Sequence, residues 1–217
     1  EELVLFRMGD FYETFNEDAV KASKILGITL TARDSRSDHP TPMAGIPHHA
    51  LKDYLPRLIK QGIRVAICDQ MENPAEAKGI VKRDVTRVVT RGTLTEDAML
   101  EPGKSNYLMC LSDEGELVNV AAIDFSTGEI FVRELPRVRV LDFLESLRPD
   151  ELVISRTFQL SPLGKQLSAL SLQMSPVDDW NFGLKAGYDQ VLRVYHIHNV
   201  EGLGLSEDSP FLKPLGA

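Results

Sequence analysis

The chain has 217 residues, 43% of them hydrophobic and 26% charged, which is enough apolar material for one large domain or two ordinary ones. Its net charge of −8 argues against nucleic-acid binding by bulk electrostatics, because phosphate contacts normally come from an excess of Lys and Arg. Cys68 and Cys110 lie far apart in apolar runs and indicate neither a disulfide framework nor a thiolate metal site, and no apolar stretch approaches the roughly 20 residues that cross a bilayer, so we expect a cytoplasmic protein without a membrane partner.

The first stretch, residues 3–6, is a short apolar run that ends at a Gly/Asp turn and predicts a buried strand. A helix of about four turns is then predicted from Asp10, because apolar residues recur at helical spacing: Phe11, Phe15, Ala19, Ala22 and Leu26. With Asp10 as N-cap, Glu13 falls where a capping-box carboxylate belongs. On local pattern alone, Phe11 packs in the core and Glu13 is a cap. Because the chain begins almost inside a strand, we expect it to be a piece of a longer protein.

The following segment is predicted to be irregular. Residues 28–31 are β-prone, and residues 32–42 are polar and rich in turn formers, which indicates an exposed loop. Within 42–50, two prolines flank Met43 and Gly45. We therefore expect a rigid, non-helical knuckle that carries Met43 either as a packing plug or as a contact surface.

A second helix and two strands complete the first half of the chain. The apolar spacing over 51–62 predicts an amphipathic helix that ends at Gly62, and strands are predicted at 63–68 and 85–90. The first hundred residues are thus predicted to form a mixed α/β unit.

Charge is unevenly distributed. Residues 1–100 contain 14 Lys and Arg against 15 Asp and Glu, whereas residues 101–217 contain 10 against 17. A basic run, of the kind that usually forms a solvated face, lies in the first half: Lys78, Lys82, Arg83, Arg87 and Arg91. Any anionic partner is therefore expected to bind the first half.

A Glu-Pro-Gly break at 101–103 marks a domain boundary. Beyond it, strand signals separated by glycine turns predict an antiparallel meander at 107–111, 117–125 and 129–134. Helices and strands then alternate, which predicts a mixed sheet covered by helices: helices at 141–147, 163–170 and 188–195, and strands at 151–155 and 172–176. The Gly/Pro-rich tail at 202–217 is expected to be a linker.

Two candidate sites are weighed and rejected. Residues 103–105 resemble the end of a phosphate-binding loop, but the earlier glycine of that motif falls at Ala98, so no ATP site is predicted in this chain. His39, His48 and His49 suggest a metal, but adjacent histidines diverge on most backbones and we identify no cysteine or carboxylate at ligand spacing.

Asp124 ends a predicted strand where nucleases with a ribonuclease H-like sheet hold a metal-binding carboxylate. Such enzymes need several converging carboxylates to bind two metal ions. The companions available are Glu145, Asp150 and Glu151, each of which also fits an ordinary surface position.

Three stretches together resemble the MutS family of DNA mismatch-repair proteins in residues, order and spacing: Gly-Asp-Phe-Tyr-Glu at 9–13, Pro-Met-Ala-Gly-Ile-Pro at 42–47 and Val-Val-Thr-Arg-Gly-Thr at 88–93. The resemblance covers nearly the whole chain. It implies an α/β fold with a mixed-sheet mismatch-binding domain at 1–93, a linker at 94–103, and a ribonuclease H-like connector domain at 104–217 whose end, 202–217, leads into domains absent from this chain.

The resemblance gives a DNA-binding role to residues that the local pattern assigns to a core or a cap. Phe11 would wedge beside a mispaired base from the minor groove, and Glu13 would hydrogen-bond that base. The wedge unstacks and kinks the duplex at a cost that is lowest where pairing is already faulty, so discrimination would come from deformability. Met8 and Met43 would flank the wedge, and Arg33 would lie near the DNA backbone.

The resemblance also implies partners and cofactors. This chain would hold no catalytic residue, metal or cofactor, whereas the full-length protein would be a homodimeric, DNA-dependent ATPase that uses ATP and Mg²⁺. The connector domain would bind a MutL-type repair partner, and the protein would be bacterial and nucleoid-associated. Two other classes stay open: a nuclease centred on Asp124, and a protein-interaction fragment without DNA binding of its own.

Overall fold

A computed structural model of the chain describes residues 2–34, 39–72, 79–93, 105–170 and 172–217. The chain divides into two compact units, Glu1–Met99 and Leu100–Ala217, and each is described by itself. The predicted linker at 94–103 lies outside the described residues. Within the described part, no helix is long and apolar enough to span a membrane.

The first unit is a sheet with helices on one side. Its elements are β1 (Leu3–Met8), β2 (Phe11–Phe15), α1 (Asn16–Leu26), β3 (Thr31–Arg33), β4 (Thr41–Pro47), α2 (Leu51–Lys60), β5 (Val65–Gln70) and β6 (Arg83–Val89). The strand order is β3-β4-β2-β1-β5-β6, and all neighbours are antiparallel except β1 and β5.

Both helices bury their apolar faces against the same side of this sheet. Side chains alternate along each strand, so Leu3 and Leu5 of β1 face the helices together with Ile67 of β5. Leu26 of α1 and Leu58 of α2 belong to the same buried cluster. The core therefore lies on one face of the sheet, and none of the described helices packs on the opposite face.

Two predicted elements of the first unit are wrong. The helix expected from Asp10 begins at Asn16, and residues 11–15 form strand β2, because their aromatic and β-branched side chains pack in alternation on the two faces of the sheet. Asp10 lies in the turn before β2, so Asp10 and Glu13 form no capping box. The knuckle expected at 42–50 is mainly strand β4, whose prolines lie near its two ends, where a missing N–H interrupts few ladder bonds.

The second unit is a mixed sheet covered by helices. Its elements are β7 (Tyr107–Glu114), β8 (Leu117–Asp124), β9 (Glu129–Pro136), α3 (Val140–Leu147), β10 (Glu151–Ser155), α4 (Arg156–Leu160), α5 (Pro162–Ala169), β11 (Met174–Val177), α6 (Leu184–Tyr195) and α7 (Leu212–Gly216). The order is β11-β10-β7-β8-β9, with β7, β8 and β9 antiparallel and β10 and β11 parallel to β7. The predicted meander and the mixed α/β class are confirmed.

The tail at 202–217 is more than a linker. Leu212 is fully buried and packs with Val191 of α6. Gly187 permits this close approach, since a Cβ placed there would lie 2.0 Å from the carbonyl oxygen of Leu212. Helix α7 is therefore part of the second unit. Its leucines pack against α6, which the Gly/Pro-rich composition of the tail did not indicate.

Candidate nucleic-acid interface

The hairpin between β1 and β2 carries the exposed aromatic of the first unit. A two-residue turn, Gly9-Asp10, joins the strands, and Gly9 has φ +58°, a left-handed conformation that glycine adopts without strain. Met8 pairs with Phe11 immediately across the turn. The Phe11 side chain is 47% exposed, whereas the next residue, Tyr12, is 7% exposed. The Phe11 ring, next to the turn, is therefore exposed to solvent and is not part of the core.

Hydrogen bonds to its two carbonyl oxygens hold this turn in place. The backbone N–H of His48 donates to the Asp10 carbonyl at 2.8 Å, and His48 Nδ1 lies 3.1 Å from the same oxygen. Arg7 Nε donates to the Gly9 carbonyl at 2.5 Å. His48 therefore has a structural role, and the described residues contain no group of three or more His, Cys, Asp or Glu side chains placed to hold a metal ion.

Phe11 belongs to the side of the sheet on which no described helix packs. We call this side the open face and define it by Phe6, Met8, Phe11, Glu13, Phe15 and Met43. Strand alternation and register place them together, because Glu13 pairs with Phe6 of β1 and Phe15 pairs with Met43 of β4. Phe6 and Phe15 also contact through their rings, with centroids 6.1 Å apart. The open face is thus an apolar surface with one carboxylate in it.

Glu13 lies over a glycine of the neighbouring strand. Gly45 pairs with Glu13, and a Cβ added at Gly45 would lie 3.4 Å from Glu13 Cγ and 3.3 Å from the carbonyl oxygen of Tyr12. Among the described residues, no side chain forms a hydrogen bond or ion pair with the Glu13 carboxylate. This carboxylate is therefore available to accept a hydrogen bond from a ligand.

The structure brings together some of the predicted contact residues and separates others. Met8 lies directly beside Phe11. Met43 is opposite Phe15, four residues along β2 from Phe11 and so about 13 Å away, and it does not lie beside Phe11. Arg33 places its guanidinium 5.8 Å from the centre of the Phe15 ring, on the same side as Met43.

Behind the open face, Tyr12 links several strands. Its hydroxyl donates to Asp69 of β5 at 2.6 Å, and the Thr86 hydroxyl of β6 donates to the other oxygen of Asp69 at 2.6 Å. Arg7 lies 5.7 Å from the centre of the Tyr12 ring. Burial raises the pKa of Tyr12 to about 12; the hydrogen bond to Asp69 and its charge act in the same direction, and Arg7 opposes them.

Three residues shape this site through contacts that the sequence did not predict: Tyr12, Gly45 and His48. Gly45 and His48 lie within a motif evident in the sequence, at 42–50, but their partners belong to β2 and the preceding turn. Tyr12 had one available signal, the alternation of apolar residues over 11–15, which places it on the face opposite Phe11.

The residues of the basic run differ in role: one forms hydrogen bonds within the sheet, and others are exposed on the surface. Arg83 Nε donates to the Arg7 carbonyl at 2.8 Å and its Nη1 to the Val81 carbonyl at 2.9 Å, so Arg83 braces the strand that carries Met8. Lys82 and Arg91 are exposed. Lys78 lies outside the described residues.

In the second unit, Asp124 is a structural carboxylate. It is 2% exposed, and its Oδ1 accepts hydrogen bonds from the Asn106 N–H (3.1 Å), the Ser126 N–H (2.9 Å) and the Ser126 hydroxyl (2.6 Å). Burial raises the pKa of Asp124, but these hydrogen bonds, with one from the Ser105 side chain, lower it overall. The end of β8 is thereby joined to the segment that enters β7.

The carboxylates proposed as companions of Asp124 do not form a metal site with it. Glu151 is buried and accepts a hydrogen bond from the Ser175 hydroxyl, and Glu145 is exposed on α3. No cluster of metal-ligating side chains occurs in the described part of this unit. The geometry therefore gives no support to a nuclease centred on Asp124.

The chain is an α/β protein with two mixed sheets. The first sheet carries an exposed aromatic and a carboxylate on its open face, and the second is covered by helices. Family comparison agrees with this architecture. The model of MutS domain I matches residues 1–98, and the model of MutS domain II matches residues 106–217. The chain belongs to the MutS family, and its matched residues form domains other than the ATPase domain, as predicted.

Curated relatives support the same conclusion. The chain is 41% identical over 208 residues to the DNA mismatch repair protein MutS of Cytophaga hutchinsonii, covering 94% of the chain and 24% of the relative. It is 42% identical over 213 residues to that of Chlorobium phaeobacteroides, covering 95% of the chain and 24% of the relative. It is 39% identical over 217 residues to that of Porphyromonas gingivalis, covering 100% of the chain and 24% of the relative. The chain thus spans about a quarter of the length of these proteins.

Proposed function

We propose that the first unit recognises mispaired or unpaired bases in double-stranded DNA. Phe11 enters from the minor groove beside the faulty pair and kinks the duplex, and Glu13 accepts a hydrogen bond from the displaced base. One observation carries this proposal: a half-exposed aromatic at the end of a braced hairpin shares the open face with a carboxylate that has no side-chain partner among the described residues.

The energetics favour recognition by deformability. An inserted apolar side chain unstacks a base step at a cost of a few kcal/mol, and this cost is smaller where pairing is already faulty. Stacking on an aromatic ring returns roughly 1–3 kcal/mol and does not depend on base identity. Met8 adds apolar surface beside the ring. Insertion of Phe11 therefore depends on how easily a base step unstacks. A sensor of many different mismatches requires this kind of recognition.

The positions of Phe11 and Glu13 suit two points on one strand of DNA. They are two residues apart on a β-strand, so their Cα atoms are separated by about 7 Å, roughly twice the 3.4 Å rise per nucleotide. A carboxylate repels phosphates and accepts hydrogen bonds from base donors. Glu13 would therefore add little general affinity for DNA and would contribute to selection at the wedge.

The full-length protein is proposed to act with partners that this chain alone does not include. They are ATP and Mg²⁺ at an ATPase domain, a second copy in a homodimer, and a MutL-type repair partner at residues 104–217. The excess of acidic residues in 101–217, 17 Asp and Glu against 10 Lys and Arg, supports a partner with a basic surface. The proposed location of the full-length protein is the cytoplasm, in association with the nucleoid.

The test is Phe11→Ala in the full-length protein. We expect the preference for mismatched over matched duplex to be abolished at a single salt concentration. The free energy of unfolding should fall by about 1 kcal/mol, because the removed side chain is half exposed. Fluorescence anisotropy with both duplexes and urea unfolding provide the two measurements.

Leu30→Ala is the matched control, because Leu30 is 45% exposed in the same unit and lies outside the open face. It should leave the preference unchanged. A core role for Phe11 would instead produce a destabilisation of about 3–5 kcal/mol with the mismatch preference intact, and this result would overturn the proposal.

A further inference from the structure

A wedge must resist the force with which stacked bases oppose it. Phe11 is the first residue of β2 and directly follows a turn, a position where strand ends commonly fray. Its backbone therefore needs support beyond the ladder that pairs β2 with β1 and β4. That support comes from the residue next to it.

Tyr12 extends from β2 to the opposite face of the sheet. Arg7 of β1 is its backbone partner, and the Tyr12 hydroxyl reaches past β1 to Asp69 of β5 at 2.6 Å. The second carboxylate oxygen of Asp69 accepts from Thr86 of β6 at 2.6 Å. A single carboxylate thus connects β2, β5 and β6 at the end of the sheet where Phe11 projects.

We propose that Tyr12, Asp69 and Thr86 are positioning residues that brace the Phe11 hairpin against the DNA. This inference rests on the proposed function of Phe11 and assigns a role in it to residues that do not face the duplex. A braced hairpin makes a well-paired step bear the full cost of insertion, whereas a pliant hairpin retreats from it. Loosening the brace therefore reduces the difference between mismatched and matched DNA, as the loss of preorganisation does in other complexes.

The first test is Tyr12→Phe in the full-length protein, which keeps the buried ring and removes only the hydroxyl. The ratio of dissociation constants for matched and mismatched duplex, measured at one salt concentration, is expected to fall about fivefold or more. Asp69→Ala should have the same effect. Asp69→Asn should retain most of the ratio, because its Oδ1 still accepts from Tyr12 and its Nδ2 can donate to Thr86.

A second measurement separates positioning from stability. If Tyr12 acts through Phe11, Tyr12→Phe has no further effect on the ratio in a Phe11→Ala background, while its effect on melting temperature persists. Ile59→Val serves as the stability control, since Ile59 is buried in the same core on α2 and away from the hairpin. If Ile59→Val lowers the melting temperature as much as Tyr12→Phe does, Ile59→Val should still keep the wild-type ratio of dissociation constants.

The two proposals fail in different ways. If Phe11→Ala retains the mismatch preference, the proposed function is overturned. If Phe11→Ala loses it while Tyr12→Phe keeps the wild-type ratio, the wedge stands and the brace is overturned. A ratio that falls equally in Ile59→Val, or an Asp69→Asn variant that behaves like Asp69→Ala, likewise overturns the brace.

Discussion

Gly45 is the cross-strand neighbour of Glu13, and its missing side chain lets β4 approach β2 closely at that pair. The glycine is paired with Glu13 on the open face, and Glu13 Cγ lies at van der Waals distance from the place that a Cβ would take. A Cβ at this position would contact that atom at 3.4 Å and the carbonyl oxygen of Tyr12 at 3.3 Å. The contact with the carbonyl oxygen is the tight one, and that oxygen belongs to the backbone of β2. A methyl group at position 45 is therefore accommodated by a shift of a few tenths of an ångström between β2 and β4, and this shift displaces Glu13, which is paired with position 45.

Gly45→Ala is therefore expected to act in the same direction as Glu13→Ala, because it displaces the carboxylate that Glu13→Ala removes. Discrimination between mismatched and matched duplex should weaken about fivefold, on the order of 1 kcal/mol, while binding to DNA is retained. Binding titrations of the full-length variants with the two duplexes measure this. Gly202→Ala is the control, because a Cβ at Gly202 meets no atom within 4 Å. Unchanged discrimination in Gly45→Ala would show that the orientation of Glu13 is set elsewhere.

Phe11 and Glu13 show how far local sequence determines this site. A spacing of four residues, as between Phe11 and Phe15, fits both a helical turn and two strand repeats, so the pattern alone permits either element. A helix would place Glu13 on roughly the opposite side from Phe11, whereas the strand puts both on the open face. The residues were predicted through the family resemblance, but their shared face required the structure.

Contacts between distant residues were beyond sequence reasoning. Tyr12 and Asp69 are 57 positions apart, and their hydrogen bond depends on the parallel pairing of β1 with β5. Neither residue type nor local spacing specifies that pairing. The hydrogen bond between Tyr12 and Asp69 behind Phe11 therefore cannot be predicted from the sequence around either residue alone.

At the scale of elements, prediction succeeded where turns are short and glycine-containing. Gly115 and Gly128 have positive φ in the β7–β8 and β8–β9 turns, and the three strands follow as predicted. It failed for α7, because a Gly/Pro-rich composition outweighed the apolar residues that fold back on α6. Helix α7 forms because its leucines are buried against α6, and local propensity does not include such tertiary burial.

Asp124 gives a prediction at this scale, because its hydrogen bonds tie the end of β8 to the segment before β7. Asp124→Asn keeps an acceptor oxygen but replaces charge-assisted hydrogen bonds with neutral ones, so we expect the second unit to lose about 1–2 kcal/mol of stability at neutral pH. Urea unfolding followed by circular dichroism measures the loss. An unchanged free energy of unfolding would contradict a structural role.

The same carboxylate predicts a dependence on acid. The folded state lowers the pKa of Asp124, so its stabilisation is present above the pKa of the unfolded chain, near 4, and is lost as pH falls through the lower folded value. The stability of the wild-type unit should therefore decline more steeply below about pH 4 than that of Asp124→Asn. Added Mg²⁺ should change neither curve if Asp124 is not a metal ligand.

At the scale of the whole molecule, each unit contains its own hydrophobic core. The first core joins α1 and α2 to one face of its sheet, with Leu55 and Leu58 fully buried. The second unit has two clusters, one around Met109 and Leu144 and one around Val191 and Leu212. All residues of these two clusters lie in the second unit, which is the structural basis for treating it as an independent domain.

We therefore expect residues 105–217, expressed alone, to unfold cooperatively in urea, because the chain supplies both clusters without residues from the first unit. Leu144→Ala should reduce the free energy of unfolding of this domain by about 2–5 kcal/mol, since Leu144 has no exposed surface. Val138→Ala is the control: Val138 is 83% exposed and should change stability by no more than about 0.5 kcal/mol. A broad, non-cooperative transition in the isolated domain would mean that its clusters need the first unit to pack, and the division into two domains would then describe contacts but not folding.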